Sequence, residues 1–239
     1  MDIKEVSSVE QQNYQHWYYT CKKSALLKLI ENNTPSYVLD IGAGSGYFTK
    51  SILDDTEAVS AICIDSAYTK TGKENYNGKQ IAYYNRIEDC NKADLLLLMD
   101  VLEHVDDDKL FLETCLNAVS HNTYVVVTVP AFQFLWSTHD IFLDHKRRYT
   151  LNGLEHLLKE MNVERIRGCY YFSNIFPLVA IIRLFLRFFK KDSRNIASDL
   201  RINNRYINKL FQWICYLEKF YFKYNRLFGL TVFYYGKVK

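Results

Sequence analysis

Residues 38–48 read VLDIGAGSGYF, and this stretch decides the fold class. A short apolar run ends at Ile41, and glycines follow at positions 42, 44 and 46. A short apolar run bounded by turn residues is typical of a buried strand, and glycines after it let a ligand approach the backbone closely. The stretch therefore predicts a strand, a ligand-binding turn and a helix over 46–53.

Short apolar runs alternate with segments of helical spacing along the rest of the chain. The patterns predict strands over 37–41, 59–64, 81–84, 94–99, 124–129, 163–172 and 230–238. They predict helices over 17–31, 67–75, 106–120, 150–161, 174–191 and 203–228. Such alternation is typical of βαβ units and a parallel sheet, in which ligands bind at the carboxyl ends of the strands.

Composition and cysteine spacing indicate a globular protein of a reducing compartment. The 239 residues include 19 Tyr and 15 Phe, which excludes a disordered chain. Six cysteines form no CxxC pair, so a zinc knuckle is not expected, and Cys63 and Cys115 fall in apolar patterns typical of buried thiols. The opening residues MDIKEVSSVEQQ are too polar for a signal peptide, so we expect a cytoplasmic protein.

The net charge of +3 conceals a strong asymmetry. Residues 183–239 carry 13 Lys/Arg against 3 Asp/Glu, whereas residues 1–182 carry 17 against 24. A basic, aromatic tail on an acidic body predicts contact with an anionic surface or ligand.

The glycine turn excludes two common nucleotide sites. Tyr47 stands where the last glycine of a dinucleotide GxGxxG would fall, and no Lys-Ser/Thr follows as a P-loop requires. The remaining pattern is Asp40-x-Gly42-x-Gly44-x-Gly46, with Asp65 at the end of the second strand. This pattern resembles motif one of class I S-adenosylmethionine-dependent methyltransferases, over about residues 36–172 and the last strand.

The resemblance implies an α/β, Rossmann-like, doubly wound sheet of seven strands whose last strand is antiparallel, with a helical insertion between strands six and seven. It divides the chain into an N-terminal helical lid (1–35), a methyltransferase core (36–172 and 229–239) and a basic aromatic insertion (173–228). It also implies S-adenosylmethionine as cofactor, bound by Asp40, Gly42, Gly44, Gly46, Asp65, Ser66, Ile87 and Asp100.

Two positions near the predicted cofactor allow alternatives. Arg86 stands where the family has an acid that contacts adenine, so we assign that contact to the backbone amide of Ile87. Asp100, Glu103 and His104 follow the fourth strand, and some related O-methyltransferases bind a divalent cation with such a set. We favour bracing of the loop by Glu103 and His104 through hydrogen bonds, expect no metal, and assign His104 to acceptor binding.

Methyl transfer needs a nucleophile held in line and sometimes a base to take its proton. The stretch His139-Asp-Ile-Phe-Leu-Asp-His-Lys-Arg-Arg-Tyr149 follows the fifth strand. His145 or His139 is the candidate base, because imidazole titrates near neutrality. Arg147 and Arg148 are candidate clamps for an acidic group, and Tyr149 is assigned to acceptor binding with them. A charged loop held together by its own Asp–Arg pairs is the alternative.

An aromatic stretch near the amino terminus is the second candidate for acceptor binding. His16, Trp17 and Tyr18 open it, and it resembles the HWWF-x-x-RR of a bacterial methyltransferase subgroup that also carries an HD…H-x-RRY segment. Lys22 and Lys23 replace the two arginines. That subgroup is associated with polysaccharide or lipid-linked glycan synthesis, which implies a small-molecule, sugar or lipid-linked acceptor. An amphipathic helix packed on the sheet is the alternative.

The basic insertion has cations on one helix face at Arg183, Arg187, Lys190/Lys191 and Arg194, with apolar residues around the rest. This pattern favours a helix lying on the inner face of an anionic membrane over one that crosses it. A helical cap over the active site and a homodimer interface are the alternatives. Nucleic acid is not expected, because no binding module is visible. A non-catalytic cofactor-binding or membrane scaffold with the same fold is the alternative to an enzyme.

Overall fold

The computed structural model describes residues 16–87, 90–189 and 204–239, with the side chains of 186–189 left aside. The helices are α1 (Trp17–Ile30), α2 (Tyr47–Asp55), α3 (Asp108–Asn117), α4 (Thr138–Phe142), α5 (Leu151–Glu160), α6 (Phe176–Phe189) and α7 (Arg205–Glu218). The strands are β1 (Tyr37–Ile41), β2 (Ser60–Ile64), β3 (Gly72–Tyr76), β4 (Lys79–Tyr84), β5 (Leu95–Met99), β6 (Tyr124–Pro130), β7 (Val163–Tyr171) and β8 (Thr231–Val238).

The strands form one sheet in the order β3-β4-β2-β1-β5-β6-β8-β7. Strands β4, β2, β1, β5 and β6 are parallel, whereas β8 runs antiparallel to both β6 and β7. The carboxyl ends of the five parallel strands therefore meet at one edge of the sheet. The predicted α/β, Rossmann-like architecture is confirmed, and α6 and α7 stand in the chain between β7 and β8.

One predicted element is wrong, and it changes the strand count from seven to eight. The helix predicted over 67–75 is not formed, and Gly72–Tyr76 instead form β3, which pairs antiparallel with β4. Asn77 and Gly78 join the two strands with φ values of 52° and 81°. Two consecutive residues with positive φ make the turn that a tight hairpin favours, so the Asn-Gly pair is a hairpin turn and not a helix stop.

The core lies on both faces of the sheet, and β5 shows why. All five of its residues are buried, and successive side chains enter opposite layers. Leu95, Leu97 and Met99 pack in the layer that contains α1 and α2, and Leu96 and Leu98 pack in the layer that contains α3 and α5. A strand covered on both faces has no polar side, which explains the uninterrupted run of apolar residues.

Polar side chains cap the starts of three helices, and one predicted helix ends earlier than expected. The side chains of Asp107, Thr150 and Asn204 cap the starts of α3, α5 and α7. The helix predicted over 203–228 ends at Glu218 and is followed by a short 3₁₀ turn, Phe222–Tyr224. Within the described ranges, no helix combines the length and the apolar content that crossing a bilayer requires.

Candidate active site

The glycine turn after β1 has a left-handed backbone at all three glycines. Gly42, Gly44 and Gly46 all have positive φ, between 53° and 73°. A Cβ atom on Gly42 would lie 2.5 Å from a methyl group of Val101, so this position needs glycine for space as well as for conformation.

Two side chains fix the turn against the end of β2. The backbone N–H of Gly44 donates to the carboxylate of Asp65 at 2.9 Å. The hydroxyl of Tyr68 donates to the carbonyl oxygen of Gly44 at 2.6 Å. Asp65 also accepts from the backbone N–H of Ala67 at 2.9 Å. A carboxylate has about four acceptor positions, so Asp65 keeps capacity for ribose hydroxyls.

Asp40 lies in β1 beneath the turn and is 1% exposed. The Thr49 hydroxyl donates to its Oδ2 at 2.6 Å, whereas Oδ1 is buried without a hydrogen-bond partner among the described residues. Burial raises the pKa of Asp40 to about 6, although the hydrogen bond from Thr49 opposes the rise. A buried acceptor without a donor is rare in native proteins, so Oδ1 marks a place for an ammonium group or a bridging water.

A cavity of about 490 Å³ opens beside the turn at the carboxyl edge of the sheet. Five predicted cofactor residues line it, together with the predicted acceptor residue His104: Gly42, Asp65, Ser66, Ile87 and Asp100. Arg86 lines it as well. Asp40, Gly44 and Gly46 shape the turn and do not line the cavity.

The floor of this site contains a buried ion pair. Lys22 of α1 is completely buried and donates to the carboxylate of Asp100 and, at 3.2 Å, to the hydroxyl of Tyr18. Asp100 has a φ of 57° and accepts from the hydroxyl of Thr128 at 3.1 Å. Burial lowers the pKa of Lys22, but the charge of Asp100 outweighs it, so the pKa lies above its usual value. Burial raises the pKa of Asp100, but the charge and hydrogen bond of Lys22 outweigh this. The pKa therefore lies below its usual value, and this carboxyl stays ionised.

Asp140 of α4 holds the predicted base in place. Its carboxylate accepts from Nδ1 of His145 at 2.9 Å and from two nitrogens of Arg148 at 2.7 and 3.0 Å. The backbone N–H of Ser137 donates to it as well, at 2.8 Å. Burial raises the pKa of Asp140, but the bonds from His145 and Arg148 outweigh this and hold it well below its usual range. With Nδ1–H on Asp140, the lone pair of His145 is on Nε2.

His145 lies against the loop after β5, where a third polar group is buried. The rings of His104 and His145 are 4.7 Å apart, and one ligand atom each from Glu103, His104 and His145 lie within 4.8 Å of one another. Glu103 is 1% exposed, and neither carboxylate oxygen has a hydrogen-bond partner among the described residues. Burial, with Asp100 nearby, raises the pKa of Glu103. The expectation that Glu103 braces the loop through hydrogen bonds of its side chain is therefore wrong.

Three predicted acceptor residues are engaged inside the protein. Arg148 also donates to the carbonyl oxygen of Ala131 at 3.0 Å, and its side chain is 4% exposed. Arg147 donates to two carbonyl oxygens of the loop after β5 and pairs with Asp108 at 3.1 Å. Tyr149 donates to Asp108 at 2.6 Å and is buried. These contacts favour the alternative of a charged loop held together by its own Asp–Arg pairs, and the assignment of these residues to acceptor binding stays a prediction.

Of the three predicted acceptor residues near the amino terminus, His16 and Trp17 have structural contacts, and Tyr18 lies at the site. His16 accepts the N–H of Tyr18 and caps α1, and Trp17 is buried against Phe172 and Phe211. Trp17 is therefore part of the core rather than an acceptor contact. Tyr18 stacks on Phe172 at 5.2 Å and reaches Lys22 with its hydroxyl, so it adjoins the ion pair of Asp100.

His139 lies in the first turn of α4, where its N–H donates to the Ser137 hydroxyl at 3.3 Å, and its role as a base stays a prediction. Of the basic face predicted in the insertion, Arg183 donates to the carbonyl oxygen of Leu135 at 2.8 Å. The side chains of Arg187, Lys190, Lys191 and Arg194 lie outside the described residues.

Sequence reasoning missed three contacts around the candidate site. Lys22 carried a signal, a cation four residues after Tyr18 on one helix face, but its partner Asp100 is 78 residues away. The pairing of Asp140 with His145 needs the turn after α4, and no periodic pattern predicts it. Tyr68 fell in a segment predicted as helix, so its contact with the glycine turn was not foreseen.

A mixed sheet with five parallel strands and helices on both faces, a glycine turn after β1, and acids in β1 and directly after β2 and β5 form a Rossmann-like fold with a ligand site at the carboxyl edge. The model of a family described as a methyltransferase domain matches residues 14–188, more than half of the chain. The chain belongs to this methyltransferase family, and S-adenosylmethionine is its cofactor. The cavity, its acids and the unpaired oxygen of Asp40 fit that cofactor.

Solved structures share the fold at low sequence identity. A SAM-dependent methyltransferase from Archaeoglobus fulgidus is 16% identical, with 90% of this chain and 92% of that chain covered and a TM-score of 0.51. The plantazolicin methyltransferase BpumL, solved with a monoazolic desmethylPZN analog and SAH, is 12% identical, covers 98% and 88%, and has a TM-score of 0.55. The methyltransferase in complex with the Haloferax volcanii Trm112 activator is 13% identical, covers 98% and 93%, and has a TM-score of 0.56. No curated protein matches the chain.

Proposed function

We propose that this methyltransferase methylates an oxygen atom, in a hydroxyl, carboxyl or similar group of a small-molecule, sugar or lipid-linked acceptor. The observation that carries the proposal is the hydrogen bond between Asp140 and His145, beside the cavity that His104 lines. A hydroxyl is a poor nucleophile until its proton leaves, and an imidazole oriented by a buried carboxylate is suited to take it.

On the donor side, the protein has to bind and orient the cofactor and takes little part in the chemical step. When bound, S-adenosylmethionine supplies a methyl group on a positively charged sulfur. The chain provides Asp65 for the ribose, the turn at Gly42 for close approach, and Asp40 beneath it. Asp100 is held ionised by Lys22, so its charge stays fixed at the donor end of the cavity.

On the acceptor side, His145 is the candidate catalytic residue and Asp140 its positioning residue. Asp140 holds Nδ1–H, so Nε2 accepts the proton of an acceptor hydroxyl, and the carboxylate then stabilises the imidazolium. Arg148 in turn prevents Asp140 from rotating away, because it donates two bonds to the same carboxylate.

Two measurements test the proposal. Calorimetry with S-adenosylhomocysteine should show binding by the wild type and at least tenfold weaker binding by Asp65→Ala. Methyl-labelled S-adenosylmethionine, incubated with lipid and polar extracts, should label an oxygen ester or ether. His145→Gln should lower that labelling about 10²-fold or more, whereas His156→Gln, at an exposed histidine of α5, should leave it unchanged. Equal labelling by His145→Gln, or labelling at nitrogen, would refute it.

For the place of action, we propose that α6 and α7 dock on the cytoplasmic face of an anionic membrane. Four apolar residues at spacings of four, three and four form one exposed stripe of α7: Tyr206, Leu210, Trp213 and Leu217. The exposed Phe220 follows in the turn after this helix. Leu178, Ile181, Ile182 and Phe185 form a second exposed stripe on α6. Arg205 and Lys209 accompany the α7 stripe, and the whole region 183–239 is basic.

Charge and aromatic content favour a membrane over a second copy of the chain, because like basic surfaces repel, whereas an interface of anionic lipid attracts cations and accepts Trp and Tyr. Wild-type protein should float with vesicles that contain anionic lipid and stay at the bottom with purely zwitterionic ones. Trp213→Glu with Leu210→Glu should abolish flotation. Failure to float, or a dimer that the same two substitutions dissociate, would refute membrane docking.

A further inference from the structure

The cluster of Glu103, His104 and His145 contains a carboxylate that the protein buries without a partner. Glu103 is 1% exposed, and neither oxygen accepts a hydrogen bond from the described residues. Burying a charged or polar group without compensation costs several kcal/mol, so such a group marks a place for a ligand. The ring nitrogens nearby point to the kind of ligand.

The three side chains offer one carboxylate oxygen and two imidazole nitrogens within 4.8 Å of one another. Around an ion with bonds of about 2.1 Å, ligand atoms are separated by about 3 to 4 Å, so a shift of about 1 Å closes the cluster. Two imidazoles and one carboxylate are the donor set of transition-metal sites such as Zn²⁺ and Mn²⁺, whereas Mg²⁺ prefers oxygen alone.

The contact of His145 with Asp140 resembles the hydrogen bond that commonly orients a metal-ligating histidine. Nδ1 of His145 is bonded to Asp140 at 2.9 Å, which leaves Nε2 as the donor atom. A ligating histidine commonly places its other ring N–H on a carboxylate, which fixes its orientation and strengthens it as a ligand. The backbone N–H of Lys146 donates to the carbonyl oxygen of Glu103 at 2.6 Å and holds the two loops together.

We infer that Glu103, His104 and His145 bind a divalent transition-metal ion, which takes the acceptor oxygen as a further ligand. His104 lines the cofactor cavity, so open coordination positions of the ion would face the place of methyl transfer. Asp100 is not part of the set, because it pairs with Lys22 and Thr128.

The chemistry of this ion deepens the proposed function and rests on it. An acceptor O–H bound to the ion loses its proton to water, because the cation lowers the pKa of a bound hydroxyl. The oxygen then forms the new bond to carbon as the sulfur–carbon bond breaks, and S-adenosylhomocysteine leaves. In the loaded site His145 is a ligand; in the metal-free site its Nε2 takes the proton itself.

The test is titration of chelator-treated protein with Zn²⁺ and with Mn²⁺, followed by calorimetry. Wild-type protein should bind one ion, and Mg²⁺ should bind at least 100-fold more weakly. Glu103→Gln should weaken Zn²⁺ binding at least 100-fold while the melting temperature of the metal-free protein stays equal or rises, because the change removes a buried carboxyl group that has no hydrogen-bond partner among the described residues. His156→Gln is the control and should bind as wild type does.

Absence of stoichiometric binding, or undiminished binding by Glu103→Gln, would overturn the inference. A fall in the melting temperature of metal-free Glu103→Gln would also count against it, since Glu103 would then be structural. Binding of S-adenosylhomocysteine to the same samples separates the two proposals. If the nucleoside binds and the ion does not, only this inference fails; if the ion binds and the nucleoside does not, only the proposed function fails.

Discussion

The ammonium group of Lys22 is completely buried and donates to the carboxylate of Asp100, which joins the first helix to the end of β5. The pair connects α1, with its aromatic residues, to the donor end of the active site. Its members are 78 positions apart, so it forms only after the chain has folded. Helix α1 is therefore part of the active-site floor, where its cation holds a negative charge beside the cavity.

Replacing Lys22 by Met should lower the free energy of unfolding by about 2–3 kcal/mol, because Asp100, whose side chain is 24% exposed, loses the cation it pairs with. Lys23→Met is the matched control on the same helix, since Lys23 pairs with Asp55 at the surface and should cost less than about 1 kcal/mol. Urea unfolding measures both. The double variant Lys22→Met with Asp100→Asn should recover part of the loss, and equal costs for the two lysines would contradict the assignment.

Gly42→Ala should disrupt the cofactor turn, because its new methyl group would lie 2.5 Å from Val101. Gly78→Ala, which has a similar positive φ but no atom within 4 Å, isolates the conformational strain. We expect about 1–2 kcal/mol for Gly78→Ala and about 1–3 kcal/mol more for Gly42→Ala. Only Gly42→Ala should weaken S-adenosylhomocysteine binding, and adding Val101→Ala should restore part of the stability. Equal effects at the two glycines would show that the contact with Val101 is unimportant.

The pKa of Asp40, about 6, predicts a pH dependence of stability. An unfolded aspartate titrates near pH 4, so between about pH 4 and 6 the native chain retains a proton that the unfolded chain has lost. Under that condition the free energy of unfolding falls as pH rises, and it levels off above the native pKa. Asp40→Asn lacks this contribution. The difference in unfolding free energy, wild type minus Asp40→Asn, should therefore decrease from pH 4 to pH 6, and an increase over that range would contradict the prediction.

Arg148→Lys should destabilise the loop after β6 rather than weaken acceptor binding. A lysine cannot donate the two parallel bonds to Asp140 and the further bond to Ala131 that Arg148 makes. We expect a loss of about 2–3 kcal/mol in unfolding free energy, by analogy with other broken bonds to charged groups. Arg165→Lys, at a half-exposed position where the side chain pairs with Glu155 at 3.0 Å, is the control and should cost less than about 1 kcal/mol. A large rise in acceptor KM without a loss of stability would restore Arg148 as an acceptor clamp.

Most of the fold could be predicted from the sequence because the spacing of apolar residues identifies most of its strands and helices. The runs at 37–41, 94–99 and 124–129 are too apolar for a partly exposed strand, and the structure places all three in the middle of the sheet. The exception is β3, whose residues GKENY have no apolar alternation and lie at the sheet edge. An edge strand is specified by its turn and its neighbour, so its own pattern was misleading.

The sequence by itself determined the donor. The glycines at 42, 44 and 46 and the acid at 65 are close in the chain or at a regular spacing, and they need only β1 and β2 to come together. Only the tertiary structure decided which polar side chains are paired beside the cavity. It committed Arg147, Arg148 and Tyr149 to the loop, paired Lys22 with Asp100, and brought Glu103 to His145. Lys22 and Asp100, Arg147 and Asp108, and Glu103 and His145 are far apart in the chain, so no local pattern shows which charges folding brings together.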